Sequence, residues 1–173
     1  ENIYEENLRM NEIYRSINVP IPIEFRYAAE HTLGKRLAEA VRDWGAQGFP
    51  GKKTLSIYRI IDSARALDIQ LHKEPVARFL SNELTALVRD FVAKPCVETL
   101  EQALAILKLS KKIEVFLDKR EVQDDLFAFV KSWKDVAQAI PQVIRDQEHL
   151  FFALMEELEL STERLRKTMG SHS

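Results

Sequence analysis

Four histidines, one cysteine and 27 acidic side chains are among the groups in this 173-residue chain able to hold a metal, move a proton or attack a carbon. Asp146 and His149 stand three residues apart, the separation by which a carboxylate and an imidazole share one helix face in bundle metal sites. They amount to one half-site. A dimetal centre needs a second such pair and carboxylates from two further helices, and His31 has Ala28 rather than an acid three residues before it. His72 falls in a loop and His172 in the tail, so no metal site is expected. Cys96 follows Pro95 at the start of a helical pattern, where the helix dipole favours a thiolate. A cysteine nucleophile also needs a base, and nothing in the sequence brings His31, His72 or His149 to it. The expectation is an inert, partly buried thiol. No catalytic residue and no cofactor are predicted.

Binding motifs thin out in the same way. Gly51, Lys52, Lys53 and Thr54 end like a phosphate-cradling loop, yet position 46 is Ala46 where the motif needs glycine. Neither Ser nor Thr follows the first lysine, so these residues read as a solvated basic turn. Lys108, Lys111, Lys112, Lys119 and Arg120 form the densest basic stretch, but Glu114, Asp118, Glu121, Asp124 and Asp125 interrupt or follow it. A phosphate-tracking surface needs one sign of charge, and a solvated helix face with local ion pairs is expected instead. With 25 basic against 27 acidic residues the formal charge is −2, which offers no global field to nucleic acid or an anionic membrane. Trp44 and Phe49 flank a glycine-rich loop beside Arg42, Asp43 and Gln47, residue types that stack on and hydrogen-bond to a sugar or peptide. They are the two candidate ligand or partner contacts. Trp44 also stands in register with Leu37 and Val41, which makes core packing its main expected role.

The elements that carry these residues read as helices. A composition 46% hydrophobic, 30% charged and 9% aromatic excludes a disordered or collagen-like chain. Five glycines and six prolines fall below the usual roughly 7% and 5%, which argues against a turn-rich β sandwich or barrel. From 25 to 44, Phe25, Ala28, Ala29, Leu33, Leu37, Ala40, Val41 and Trp44 fall at steps of three and four, with Pro22 suited to the first turn. Ile57, Tyr58, Ile61, Ala64 and Leu67 predict a second helix entered near Thr54. Val76, Phe79, Leu80, Leu84, Leu87, Val88 and Phe91 predict a third. After Pro95 the stripe from Leu100 through Leu107 and Ile113 to Phe116 and Leu117 predicts a single helix of more than about 20 residues. Leu126, Phe129, Val130, Trp133, Val136, Ala137 and Ile140 predict the next, which Pro141 ends or kinks. The chain restarts at Gln142, and Phe151, Leu154, Met155 and Leu158 mark the last strong helix, with Ser161, Thr162 and Glu163 able to cap a short extension. Tyr4, Leu8, Asn11, Tyr14 and Ile17 make a weaker helix at the front, ended by Pro20 and Pro22.

The fold class expected is therefore all-α, a compact bundle of about six to seven helices. Residues 1–19 form an N-terminal helix and linker and 20–173 the bundle domain, one domain overall. Because the chain begins at Glu1 inside a helical pattern, it reads as a piece of a longer protein. It has no fixed-period repeat and no run of the roughly 18–20 apolar residues that a membrane span needs. One cysteine cannot form an intrachain disulfide, which fits a reducing compartment, and a cytoplasmic location is expected.

The stretch Asn18-Val19-Pro20-Ile21-Pro22-Ile23-Glu24-Phe25-Arg26-Tyr27-Ala28-Ala29-Glu30, followed by Ser63-Ala64-Arg65-Ala66-Leu67-Asp68-Ile69-Gln70-Leu71, resembles the helical C-terminal region of a bacterial protein group. There it follows a catalytic domain of the glycoside hydrolase family 57 type, related to α-amylases and α-mannosidases, and is itself a domain of unknown function. The resemblance covers most of the chain. It implies that the carboxylates of glycosidic chemistry belong to the upstream domain and that this chain is a non-catalytic accessory domain whose partner is that catalytic domain of the same polypeptide. The competing expectation is a helical interaction or homo-oligomerisation module with no link to carbohydrate, docking through Tyr4, Leu8, Met10 and Tyr14.

Overall fold

Pro22 has the extended backbone of a residue that ends a linker (φ −54°, ψ 141°), and its carbonyl accepts the first helical bond, from Arg26 N at 3.1 Å. It stands one residue outside the helix, not in its first turn. A computed structural model describes residues 22–48, 54–133 and 140–163 of the chain. Seven helices and no strand lie among them, and the fold is all-α. The expected N-terminal helix, Phe49, most of the basic turn at 51–54, Val136, Ala137 and His172 lie outside the described residues. The described part divides into two compact units, one holding 22–47 and 54–76, the other Gly48, 77–133 and 140–163.

In the first unit, α1 (Ile23–Ala46) buries Ala29, Leu33, Leu37, Val41 and Trp44, a row at steps of four and three. Phe25 and Ala40, given to the same face by periodicity, are half-buried, and Ala28 is exposed. Successive residues point about 100° apart, so a helix packed along one stripe covers Ala29 and leaves its neighbour in solvent. Helix α2 (Thr54–Ala66) begins at the expected Thr54 and buries Ile57, Ile61 and Ala64. The two helices pack on each other through Ala29 and Leu33 against Ala64, with Leu67 and Ile69 closing the cluster and Ile60 and Leu71 at its border.

The second unit holds nearly all of α3 (Glu74–Ala93) together with α4 (Val97–Lys112), α5 (Arg120–Lys131), α6 (Gln142–Asp146) and α7 (Glu148–Glu157). Helix α4 is buried on most of its circumference: Leu100, Ala103, Leu104, Ile106, Leu107, Leu109 and Ser110 all lie inside, the pattern of a central helix. Ser110 is the buried polar residue there, and its hydroxyl donates to the Leu107 carbonyl at 2.8 Å. Helix α7 packs on α4. Five aromatic rings knit the unit: Phe91 lies 5.8 Å from Phe129 and 6.1 Å from Phe151, while Trp133 lies 4.9 Å from Phe129 and 5.6 Å from Phe151. Phe152 follows at 6.3 Å from Phe151. Arg89 on α3 pairs with Glu121 and, at 3.5 Å, with Asp125, both on α5.

The long helix expected after Pro95 stops at Lys112, and residues 113–119 are not helical. The cause is a left-handed residue, Glu114 (φ 55°). Its amide bonds to the Lys111 carbonyl at 3.1 Å and the Val115 amide to the Ser110 carbonyl at 2.8 Å, the paired bonds of a Schellman ending. Two other helices end identically. Asp68 (φ 53°) and Ile69 bond back to Arg65 and Ala64, and Glu159 (φ 61°) and Leu160 to Glu156 and Met155. In this glycine-poor chain the left-handed place is filled each time by an acid between two aliphatic residues: Leu67-Asp68-Ile69, Ile113-Glu114-Val115 and Leu158-Glu159-Leu160. The aliphatic neighbours Leu67, Ile69, Ile113, Val115 and Leu158 are buried, and their burial offsets the cost of about 1–2 kcal/mol for a left-handed residue with a side chain.

Candidate functional site

The residues singled out for chemistry stand apart. Asp146 and His149 are exposed and share an open recess on α6 and α7 with Arg145, Glu148, Phe152, Ala153 and Glu156. Asp146 accepts a bond from Gln142 Nε2 at 2.8 Å. Among the described residues no three of His, Cys, Asp and Glu are grouped to hold a metal ion. His31 and His72 are exposed, and His72 Nδ1 lies 3.8 Å from Glu74. Cys96 is half-buried and takes the extended N-cap position of α4 (φ −144°, ψ 155°) without capping it by its side chain. Thr99 Oγ1 donates to the Cys96 carbonyl at 3.0 Å, so the 3.2 Å contact between Cys96 Sγ and Thr99 Oγ1 is a thiol donating to the hydroxyl. Trp44 is 1% exposed.

The feature that stands out is the α4–α5 connection. Along residues 113–118 the side chains alternate strictly: Ile113, Val115 and Leu117 are buried, Glu114, Phe116 and Asp118 exposed. Phe116 thereby takes a solvent position and is 91% exposed, more than any other large apolar residue described. The loop beneath it is fixed. The Schellman ending anchors its start, two buried aliphatics hold its middle, and the Asp118 amide donates to Ser81 Oγ of α3 at 3.1 Å.

Its far end is held by Lys119. Grouped by sequence with a solvated basic face, this side chain is only 21% exposed and reaches the C-terminus of α7. Its ammonium donates to the Glu157 carbonyl at 3.0 Å and to Glu159 Oε1 at 2.9 Å. The last carbonyls of a helix have no partner within it and carry the negative end of its dipole, so a cation seated there satisfies both. Gln123 Nε2 of α5 donates to the next carbonyl, Leu158 O, at 2.7 Å, and Lys111 Nζ lies 2.6 Å from Glu157 Oε2. The Lys119 hydrogen bond and then its charge hold the Glu159 carboxyl below the ordinary carboxylate range, with Lys111 adding to the pull. Lys108 and Lys112 keep their expected exposure.

This arrangement is a mechanical one, an exposed aromatic on a connection braced from three sides. From sequence, Phe116 falls on the apolar stripe of a continued α4 and Lys119 in a solvated basic stretch, and neither expectation matches its place in the structure. The alternation shows in burial and not in residue type, since Phe116 is apolar at an outward place. No helix among the described residues is long and apolar enough to cross a membrane. Set against protein-family models, curated proteins and solved structures, the chain matches none.

Proposed function

We propose that this chain is a non-catalytic helical docking module, an accessory domain that packs on the catalytic domain of a glycoside hydrolase within the same polypeptide. The observation that carries docking is Phe116: an aromatic ring at 91% exposure on a braced loop is costly to leave in water and loses little conformational freedom when a partner covers it. Aromatic residues on rigid supports are the usual anchors of protein interfaces. The choice of partner rests on the resemblance of segments 18–30 and 63–71 to the helical region that follows family 57-type domains. Asp146 and His149 share an open recess whose described lining residues include neither Cys96 nor a third metal-ligating group, which supports the non-catalytic part. A single free cysteine supports a cytoplasmic setting.

The test begins with the coding sequence upstream of Glu1. A family 57-type catalytic domain there, together with loss of its association with this chain in Phe116→Ala, is the expected result. Phe116→Ala itself is expected to change folding stability by no more than about 0.5 kcal/mol, as for other surface positions. An unrelated upstream domain overturns the hydrolase reading. If light scattering then shows the isolated chain associating with itself, and Phe116→Ala abolishes this, the module is a homo-oligomerisation device.

A further inference from the structure

We infer that residues 113–119 and the C-terminal turn of α7 form a single ionic latch, closed by Lys119, whose two halves open together. The halves are 40 residues apart in sequence, as measured from Lys119 to Glu159, so no local helical bond joins them. One ammonium does, through an acceptor at Glu157, the last residue of α7, and another at Glu159 just beyond it. The Glu157 carbonyl is an orphan at a helix end, and the Glu159 carboxylate sits on a left-handed residue that owes its place to the Schellman bonds of Glu159 and Leu160 back to Glu156 and Met155. Gln123 and Lys111 grip the same turn.

On the loop side, Lys119 is the N-cap residue of α5. The residue before it is tied to Ser81 and the one after it to the Asp118 carboxylate, through Arg120 N at 3.2 Å. Pulling the ammonium out therefore loosens the last turn of α7 and removes the far brace of the connection that carries Phe116. A charge-assisted bond of this kind is weakened by salt because one acceptor, Glu159, is 77% exposed. The latch is a property of the free chain, so the docking proposal for Phe116 can fail without touching it.

The experiment is amide hydrogen exchange on the whole chain, comparing wild type with Lys119→Met and Glu159→Gln. In Lys119→Met the amides of Val115 and Asp118 and those of Glu159 and Leu160 are expected to exchange about tenfold faster, the change produced by losing a charge-assisted hydrogen bond. The α1 and α2 amides stay unchanged. Glu159→Gln alters only an exposed side chain and so guards against a variant that misfolds; it is expected to speed exchange at Asp118 as well as at Leu160, by a smaller factor. Salt at about 1 M reproduces part of the effect in wild type and adds little in Lys119→Met. Acceleration confined to 158–160 in Glu159→Gln, or at one half only in Lys119→Met, overturns the latch.

Discussion

At the scale of single residues, one ionisable side chain has a clear structural part. That side chain is Lys119: its charge lies against a helix end, where the dipole and a carboxylate both favour it. The consequence for acid stability has a definite sign. Glu159 has its folded pKa held below the ordinary value by Lys119 and, more weakly, Lys111, so the stabilisation is complete above the ordinary carboxylate range and is lost as pH falls through the depressed folded value. Thermal melts of wild type and Glu159→Gln should lie farthest apart at neutral pH and converge in acid. A gap that persists unchanged to about pH 2 would show that the carboxylate charge is not its source. Lys119 could not be singled out in the sequence, because a lysine one residue before a helix looks like any solvated cation until the element it reaches is known.

At the scale of elements, the described helices were legible and the end of α4 was not. The steps of four in α1 and α3 survive in Leu33, Leu37 and Val41 and in Leu80, Leu84 and Val88, all buried. The overrun of α4 arose because Ile113, Phe116 and Leu117 fit a helical stripe, whereas an alternating run leaves the apolar Phe116 on the outward side, and because a glutamate at the stop position is not the glycine that usually marks it. Asp68, Glu114 and Glu159 each do the work of that glycine. Substitutions at Asp68 measure the cost: Asp68→Gly should stabilise by about 0.5–1 kcal/mol and Asp68→Val destabilise by about 1–2 kcal/mol, because a β-branched side chain clashes at positive φ. The shift of the urea midpoint at unchanged slope is the measurement. Equal midpoints for Gly and Val would mean that α2 ends by some other device.

At the scale of the molecule, each unit is held by its own apolar cluster: Ala29, Leu33, Ala64, Leu67 and Ile69 in one, and the rings of Phe91, Phe129, Trp133, Phe151 and Phe152 in the other. Phe151 is fully buried and touches three other rings, so Phe151→Ala should destabilise by about 3–5 kcal/mol, with loss of the near-ultraviolet dichroism of Trp133. A loss below about 1 kcal/mol would show that the rings are not packed as a core. Patterns within one helix turn were enough to establish the all-α class, the starts of α2 and α3, the restart after Pro141 and which face of each helix is apolar, because they express only the geometry of the chain's own backbone. Which apolar side chain stays in water, and which cation leaves it, depends on segments brought together from 40 residues away. Phe116 and Lys119 therefore acquired their roles from packing: an alternating run forced the ring outward, and a distant helix end drew the ammonium in.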